Sequence, residues 1–512
     1  MKRNEQLEKI QASTEWDVLV IGGGATGLGT ALDALSRGLK VALIEKFDFA
    51  KGTSSRSTKL VHGGVRYLKN GDISLVREAL HERGILLRNA PHLCRNMNFI
   101  IPSYSHWHKW FYGIGLKVYD ALSGKLSLGK SKILNKTEVM QALPGVKSEG
   151  LKGGVLYHDG QFDDARLAVS MAKTIVELGG CVLNYCEWLS FKKNEAGTIV
   201  GIDVRDTISQ NKWTIAAKIV VNAGGVFAEH LLESDEGKST LKIRPSQGVH
   251  IVLDASFSPG NNALMVPSTT DGRVLFAVPW HDSLIVGTTD TEVKTIETEP
   301  QTTTEEVQFI LENACMYLSK KPEEKDIKSV FAGLRPLISA EGKSSQSLSR
   351  KHVVHVGKSG LVSILGGKWT TYRRMAFDTM DAALKNNPIS SEKSKTEHLR
   401  FEGYQAQSDW NNPLHVYGSE SEKLEKMGEL TSLSNAFFIC EAQIKFAVLE
   451  EMAMTLEDVL CRRTRCMLLN TAETIRIAPK VVAIMASALM EDKAWETEQL
   501  DNFYELSKKY SL

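Results

Sequence analysis

The chain has 512 residues, of which 42% are hydrophobic and 24% are charged. This composition is ordinary for a folded protein, and the length exceeds what one hydrophobic core supports, so two or more structural units are expected. A formal net charge of +1 argues against a dedicated nucleic-acid binder. The seven cysteines include no CxxC pair, so we expect reduced, buried thiols and no metal site.

Residues 1–14 are mixed in charge and lack the apolar run of a signal peptide, so we expect an N-terminal tail. No window of the sequence approaches the roughly 18 unbroken apolar residues that a membrane-spanning helix needs.

A strand–turn–helix–strand pattern follows the tail. The apolar, β-branched run Asp17–Ile21 predicts a buried parallel strand. A GxGxxG turn occupies residues 22–27, and helical periodicity then continues to Gly38. Val41–Ile44 predicts the second strand. This unit is typical of dinucleotide binding, although the turn alone does not distinguish a flavin from a nicotinamide dinucleotide.

The three glycines and the glutamate of this unit each have a physical role. Gly22 allows the tight turn, Gly24 allows the backbone to approach a pyrophosphate, and Gly27 allows the helix to pack against the strand. The helix N-terminus presents unpaired N–H groups and a positive dipole end to the phosphates. Glu45 closes the second strand, where its carboxylate can accept hydrogen bonds from a ribose diol.

The stretch "TSSRSTKLVHGGVRYLKNG" (Thr53–Gly71) is unlike a packed helix or a plain strand. It begins with hydroxyls and positive charges, and its first apolar residue is Leu60. A glycine pair flanked by His62 and Arg66 follows. We therefore expect this stretch to contact a ligand.

Later segments alternate strands with glycine turns. Ile219–Leu232 is an apolar strand that runs into a glycine pair and a helix, and Arg273–Glu292 alternates like antiparallel strands. Leu361–Ala376 is a strand, a glycine turn and a helix start. Ala442–Arg465 and Ile477–Met490 are helical by periodicity.

The motifs "TKLVHGGVRYL", "PSQGVHIV", "AGLRPL" and "GGKWTTYR" resemble the FAD-dependent glycerol-3-phosphate dehydrogenases, within the amino-acid-oxidase-like flavoproteins. The match runs in colinear order from Glu15 to Ala376. The resemblance implies an α/β fold with a discontinuous, Rossmann-like FAD-binding domain over residues 15–394. It also implies a mixed-sheet substrate domain, mainly from residues 154–204 and 244–332, and a C-terminal helical cap over residues 395–512.

The same resemblance implies a set of cofactor contacts along the FAD. The positions are Gly22, Gly24, Ala25, Thr26, Gly27, Glu45, Lys46, Thr53, Ser54, Ser57, Lys59, Leu60, Ala223, Gly224, Gly366, Gly367, Lys368 and Thr370. An ST-turn that satisfies only its own backbone is the alternative for the hydroxyl residues among them.

The substrate pocket carried over from the family consists of His62, Arg66, Tyr67, His250, Arg335 and Lys368. Such a set suits glycerol 3-phosphate, because a planar arginine fork and a lysine point charge both bind phosphate. Oxidation would transfer hydride from C2 to N5 of FAD. His62 or His250 would accept the hydroxyl proton as base, or an arginine such as Arg335 would stabilise a developing alkoxide, and the sequence does not choose among them.

The resemblance further implies a membrane quinone as electron acceptor and a cytoplasmic location, peripheral to the inner face of the membrane. Residues 101–132 are rich in aromatics and lysine, so Trp107, Trp110 and Phe111 are candidates for contact with lipid. The alternative is a helix docked on the protein's own core. A homodimer is a further expectation.

Rival functions remain at this stage. A glycerol-3-phosphate oxidase would pass electrons to O₂, but such relatives commonly carry an insertion that is not evident here. A flavoprotein acting on another small hydroxy or amino acid is disfavoured by the cations. A non-catalytic FAD-binding module is the rival from a different class.

Overall fold

The computed structural model describes residues 1–64, 72–238, 241–339 and 352–512. Its strands, in chain order, are β1 (Trp16–Ile21), β2 (Val41–Ile44), β3 (Leu60–Val61), β4 (Cys94–Ser103), β5 (Lys132–Leu134), β6 (Gly153–Phe162), β7 (Cys181–Leu183), β8 (Cys186–Lys193), β9 (Ile199–Asp206), β10 (Lys212–Asn222), β11 (Lys242–Asp254), β12 (Ala263–Val266), β13 (Leu275–Trp280), β14 (Ser283–Gly287), β15 (Thr291–Glu292), β16 (Ser329–Ser339), β17 (Val353–Val356) and β18 (Val362–Leu365).

Its α-helices, in chain order, are α1 (Arg3–Ala12), α2 (Ala25–Ser36), α3 (Ile73–Asn89), α4 (His106–Ser123), α5 (Lys136–Ala142), α6 (Asp164–Glu177), α7 (Ala228–Glu236), α8 (Thr304–Cys315), α9 (Tyr372–Asn386), α10 (Ser421–Glu425), α11 (Glu441–Glu451), α12 (Cys466–Leu469), α13 (Thr471–Leu489) and α14 (Lys493–Ser507). None of the helices in the described ranges is both long enough and apolar enough to cross a bilayer.

The first sheet carries the nucleotide-binding pattern. Its strands run in the order β17–β18–β10–β1–β2–β7, and β1 pairs in parallel with both β2 and β10. The β8–β9 hairpin attaches to the first half of β10. Helix α2 packs against α6 and α9 on this sheet. Because helices cover the sheet, β2 is buried along its whole length, as the continuous apolar run predicts.

The second sheet is mixed and larger. Its strands follow the order β15–β11–β14–β13–β12–β4–β6–β3, while β16 pairs with β11 and β5 pairs with β6. The β11–β16 pair is antiparallel from Lys242 opposite Ser339 to Val252 opposite Ser329. Helix α8 packs against β11, β13 and β14, whereas α4 packs against β4, β5 and β6. Helices therefore cover part of each face of this sheet.

The structure corrects the predicted substrate segment 154–204. Only β6 from that segment joins the second sheet; β7 extends the parallel sheet beyond β2, with Cys181 opposite Ala42, and β8 and β9 join β10. The predicted segments also do not include β4, which pairs with β6 over ten residues. Segment 244–332 contributes β12–β15, most of β11 and the start of β16. These pairings connect strands far apart in sequence, so local patterns do not reveal them.

The N-terminal tail is also corrected. Arg3–Ala12 forms α1, which lies against the first sheet with Ile10 buried. The Arg3 guanidinium binds the Asp206 carboxylate at 3.0 Å and donates to the carbonyl of Asn184. A short segment of mixed charge is thus held against the sheet in part by a buried ion pair.

Helices α10–α14 form the cap, which is joined to the first sheet by buried charges. Asp48 accepts hydrogen bonds from Arg462 at 2.6 Å and from Arg463 at 2.7 Å. Although burial acts against it, these two arginines hold the pKa of Asp48 below its ordinary value. The predicted helix 442–465 is interrupted: α11 ends at Glu451, and a π-helical turn covers Asp458–Arg463.

Candidate active site

A groove of about 490 Å³ lies at the carboxyl ends of β1, β2 and β10, where parallel α/β sheets bind ligands. We call it the dinucleotide groove. It is lined by three turns, one after each strand, which carry glycine or glutamate residues. The start of residues 53–64, which we call the Thr53 segment, completes the lining. The lining residues used below are Gly22, Gly24, Glu45, Lys46, Thr53, Ser54, Ala223 and Gly224.

The glycine turn after β1 is closely packed. Gly22 has φ of +116°, and a Cβ there would lie 2.5 Å from the Ala223 carbonyl oxygen. A Cβ on Gly27 would lie 1.9 Å from the Gly22 carbonyl oxygen. Helix α2 therefore starts as close to the strand as a backbone allows. Its first amide, from Ala25, donates to Ser54 Oγ at 2.9 Å, and Thr26 follows it in the first helical turn.

A glutamate and a lysine, Glu45 and Lys46, directly follow β2. Glu45 accepts hydrogen bonds from the amides of Gly23 at 2.6 Å and Phe47 at 2.9 Å. Burial raises the pKa of Glu45, and these amide donors act against that rise. Lys46 binds the carboxylate of Glu187 at 2.8 Å. A helix N-terminus, close glycine backbone and a carboxylate in one elongated groove fit the FAD that the resemblance implies.

Replacing Gly27 with alanine should abolish retention of the flavin. The new Cβ would overlap the Gly22 carbonyl, so α2 must move away from the turn that approaches the pyrophosphate. The measurement is the ratio of flavin to protein absorbance in the purified protein. Gly115→Ala is the control, because a Cβ on this helical glycine meets nothing within 4 Å. Normal flavin content in Gly27→Ala would contradict the assignment of this turn.

Two adjoining cavities, of about 180 and 210 Å³, lie beyond the groove, and we call them together the inner chamber. They share the residues Thr58, Leu60, His62, Phe276 and Arg335. The larger one is also lined by Thr53, which lines the dinucleotide groove as well. The chamber therefore adjoins the groove at Thr53.

Charged and imidazole side chains from separate segments meet in this chamber. Arg335, on β16, donates from Nη2 to Thr288 Oγ1 and to the Thr289 carbonyl, both at 3.1 Å. Lys368 follows the glycine turn after β18 and lines the larger cavity with Thr370. His62 follows β3 and lines both cavities. A cationic fork held by fixed acceptors is suited to an anionic ligand.

His250 is a deeply buried titratable group of the chamber, with 2% of its surface exposed. Its Nε2 lies 2.9 Å from Thr58 Oγ1, and its ring stacks on Phe331 at 4.7 Å. Burial, followed by the charges of Arg335 and Lys59, lowers the pKa of His250 well below 6.5. The imidazole is therefore neutral near pH 7, as a proton acceptor must be.

Several sequence-predicted cofactor residues have other contacts. Ser57 Oγ donates to Asp164 Oδ2 at 2.6 Å, and Ser57 lines the larger cavity of the inner chamber rather than the groove. The Lys59 ammonium is fully buried and donates to the same carboxylate at 2.8 Å and to the Ser55 carbonyl at 2.7 Å. Both residues hold the Thr53 segment against α6, because a buried ammonium requires a paired carboxylate.

Two of the remaining predicted cofactor positions line the inner chamber. Leu60 lines the inner chamber, and so does Gly367, which has φ of +86°. Gly366 precedes it with φ of +75°. Arg66 and Tyr67 lie outside the described residues.

Sequence reasoning missed several chamber residues. They are Thr58, Arg273, Phe276, Thr288, Thr289 and Asp290. The strand alternation in Arg273–Glu292 indicates that every second side chain faces one way, but not which face covers a pocket. Arg273 Nη1 is buried without a hydrogen-bond partner in the described part of the chain. Within the described ranges, no group of His, Cys, Asp and Glu side chains could hold a metal ion.

Comparison with known proteins places these features in one family. The model of the FAD-dependent oxidoreductase domain matches residues 17–373, and that of the C-terminal domain of alpha-glycerophosphate oxidase matches residues 362–496. The chain is 38% identical over 555 residues to the mitochondrial glycerol-3-phosphate dehydrogenase of Homo sapiens, with 99% of this chain and 76% of the relative covered.

Solved structures agree with the sequence relatives. A glycerol-3-phosphate dehydrogenase from Bacillus halodurans, solved as a complex with FAD, superposes with a TM-score of 0.79 at 29% identity, and covers 99% of this chain and 97% of the other. An L-alpha-glycerophosphate oxidase from Mycoplasma pneumoniae shares the fold at a TM-score of 0.58 and 17% identity, with 75% of this chain and 97% of the other covered.

Proposed function

The chain belongs to the family of FAD-dependent glycerol-3-phosphate dehydrogenases, and from this premise we propose that it oxidises sn-glycerol 3-phosphate to dihydroxyacetone phosphate and delivers the electrons to a membrane quinone. FAD is the cofactor of this enzyme family. The observation that carries the proposal is the inner chamber, where Arg335, Lys368, His62 and His250 line cavities that adjoin the dinucleotide groove.

The cations of the chamber bind and orient the substrate phosphate. The Arg335 guanidinium is oriented by Thr288 and Thr289, and it also lies 3.5 Å from the Asp290 carboxylate, with which a phosphate must compete. Lys368 adds a second positive charge from the larger cavity.

Removal of the hydroxyl proton falls to His250. The imidazole is neutral because burial and neighbouring positive charges lower its pKa, and Thr58 Oγ1 lies at its Nε2. Bound FAD supplies the hydride acceptor, so the chain's own task is to position the alcohol and accept its proton. The positive charge of Arg335 acts on His250, so we expect it also to stabilise negative charge that develops on the alcohol oxygen.

Anaerobic reduction of the flavin tests the proposed oxidation. Glycerol 3-phosphate added without oxygen to the purified yellow protein should bleach the flavin absorbance and yield one dihydroxyacetone phosphate per flavin. Glycerol and lactate serve as controls, because neither carries the phosphate that Arg335 and Lys368 would bind. A flavin that keeps its absorbance would refute the proposal and leave the non-catalytic FAD-binding module.

The electron acceptor is tested on the same reduced protein. A short-chain ubiquinone should restore the flavin absorbance much faster than dissolved oxygen does. The competing function, a glycerol-3-phosphate oxidase, predicts the opposite order and stoichiometric hydrogen peroxide. The two functions share the chamber residues, so only the acceptor separates them.

We also propose that α4 attaches the protein to the inner face of the cytoplasmic membrane. Five large apolar side chains repeat at helical spacing along one face, with exposures of 75% for Trp107, 56% for Trp110, 49% for Phe111, 64% for Ile114 and 44% for Val118. Exposed Lys117, Lys130 and Lys132 lie on or near the helix. Aromatic groups beside lysines favour the headgroup region of a bilayer.

Replacing Trp107 and Trp110 together with serine should weaken binding to lipid vesicles by at least about tenfold, since each buried aromatic contributes roughly 1.5–3 kcal/mol. Co-sedimentation with vesicles of phosphatidylcholine and phosphatidylglycerol measures the change. Met490→Ser is the control, because Met490 is 93% exposed on the cap, outside the α4 face. Equal sedimentation of the double variant and the unsubstituted protein would rule out this attachment.

A further inference from the structure

Helix α4 has a second, buried face that reaches the inner chamber. Tyr119, with 1% of its surface exposed, lies on that face. The amide of Gly63 donates to Tyr119 Oη at 2.8 Å, and Tyr119 Oη donates to Asp159 Oδ2 at 2.7 Å. Gly63 directly follows His62 in the chain. The Tyr119 phenol therefore connects α4, whose other face is exposed and apolar, to the end of β3, which His62 follows.

Asp159 is the centre of a buried cluster. Arg83 Nη1 donates to Asp159 Oδ1 at 2.8 Å, and the Gly63 amide makes a second, longer contact with Oδ1 at 3.3 Å. Arg83 and Asp159 are each 1% exposed. Burial, followed by the charge of Asp159, raises the pKa of Tyr119 well above 10, so the phenol keeps its proton and remains the donor to the carboxylate.

This cluster forms part of the chamber wall. Asp159 and Gly64 both line the smaller cavity. A Cβ on Gly63 would lie 2.4 Å from Tyr119 Oη and 2.4 Å from Leu80 Cδ2, so the Gly63 backbone is packed directly against the phenol. A shift of α4 must therefore move Gly63, because the closely packed contact leaves no space for independent movement.

The rest of the buried face of α4 contacts the same wall. Leu116 and Tyr119 belong to a hydrophobic cluster that includes Phe99, Tyr157 and Met265. Those last three side chains also line the smaller cavity. The position of α4 is thus transmitted to the chamber through apolar packing as well as through the Tyr119 hydroxyl.

We propose that Tyr119 is a positioning residue for substrate binding, which holds the His62–Gly63 backbone in place and thereby links contact of α4 with a lipid surface to the chamber's affinity for a small phosphorylated alcohol. The proposal rests on the function proposed above. Because linkage is reciprocal, a lipid surface that shifts α4 must change substrate affinity, and bound substrate must change lipid affinity by the same factor.

Rapid-mixing reduction of the FAD-loaded full chain by glycerol 3-phosphate tests the positioning role. In Tyr119→Phe the concentration giving half the maximal reduction rate should rise roughly tenfold, since a buried donor–acceptor contact is lost, while the maximal rate stays within about twofold. Tyr104→Phe is the matched control: its hydroxyl donates to the Lys147 carbonyl at 2.8 Å and does not line the chamber. This variant should leave both quantities unchanged.

A merely structural role for Tyr119 predicts a lower unfolding temperature with unchanged kinetics in the folded fraction, and that result would overturn the proposal. If Tyr119→Phe does not yield a flavoprotein, Asp159→Asn gives the same test, because it weakens the acceptor that orients the phenol. Unchanged half-saturation in Asp159→Asn would also overturn the proposal.

Vesicles of phosphatidylcholine and phosphatidylglycerol test the link to lipid. In the unsubstituted protein they should shift the half-saturating concentration. In Tyr119→Phe the shift should be clearly smaller although vesicle binding persists, because only the apolar packing then connects α4 with the chamber. An equal shift in both proteins, or none in the unsubstituted protein, would refute the link. Failure of glycerol 3-phosphate to reduce the unsubstituted protein would instead refute the proposed function.

Discussion

Replacing Arg335 with methionine should lower kcat/KM for glycerol 3-phosphate about 100-fold or more, because loss of a partly buried charged contact costs roughly 2–5 kcal/mol. Methionine keeps much of the side-chain length but removes the fork that Thr288 and Thr289 hold in place. The loss should appear mainly as a higher KM. Steady-state reduction of an artificial quinone measures it. Arg335→Lys should recover only part of the affinity, because an ammonium cannot bind two phosphate oxygens in a plane.

Glycerol distinguishes phosphate binding from a general defect. If Arg335 binds the phosphate, the slow reaction with unphosphorylated glycerol should be nearly the same with and without the substitution. Equal losses for the two alcohols would show that Arg335 supports the chamber rather than the phosphate. Arg476→Met is the control for loss of a guanidinium, because Arg476 is exposed on the cap and pairs with Glu473.

Local sequence patterns were enough to predict the nucleotide-binding half of the fold. The predicted strand Asp17–Ile21 matches β1 to within one residue, and the second predicted strand coincides with β2. Both are short, fully apolar runs next to a glycine turn, so the backbone geometry and the burial are encoded within a few residues. The FAD cofactor and the family fold followed instead from the resemblance carried by the four longer motifs, and both are confirmed.

Assignments that depend on distant partners could not be predicted in the same way. The resemblance implies that Lys59 contacts the cofactor, but its ammonium pairs with the carboxylate of Asp164, which comes 105 residues later. The hydrogen bond from Arg335 on β16 to Thr288, just beyond the end of β14, joins residues 47 apart in sequence. The sequence contains these residues without indicating that they meet, because tertiary packing decides which polar groups are paired.

Replacing His250 with glutamine should lower the maximal rate of flavin reduction by about 10²–10⁴, the usual contribution of a general base. Glutamine fills similar space and can still bind Thr58 Oγ1, but it cannot accept a proton at neutral pH. The half-saturating concentration of glycerol 3-phosphate should change much less, because the phosphate contacts remain. Rapid-mixing spectroscopy of the flavin measures both quantities.

His92→Gln is the matched control for His250→Gln. His92 is 1% exposed and, chiefly because of burial, its pKa is lowered to about 3, yet it does not line the chamber. This variant should lose stability and keep the reduction rate. His62 is the alternative base: if His250→Gln reduces normally and His62→Gln does not, proton acceptance belongs to His62.

The pH profile gives an independent test of the base. Burial, then Arg335 and Lys59, lower the pKa of His250 well below 6.5, so the imidazole stays deprotonated as the solution is acidified past the ordinary histidine value. The maximal rate should therefore be nearly constant between about pH 7.5 and pH 6. Loss of half the rate near pH 6.5 would indicate a base with an ordinary pKa and would contradict His250 in this role.

Arg335→Met then has a second consequence, at His250, which lines the same cavity. Removing one of the positive charges that oppose protonation of His250 must raise the pKa of that imidazole, although burial still lowers it. The acid limb of the maximal rate, measured at saturating glycerol 3-phosphate, should move to higher pH than in the unsubstituted protein. Superimposable profiles would show that the arginine which binds phosphate does not influence the base. A shifted limb would show that one guanidinium both binds the substrate and keeps its proton acceptor neutral.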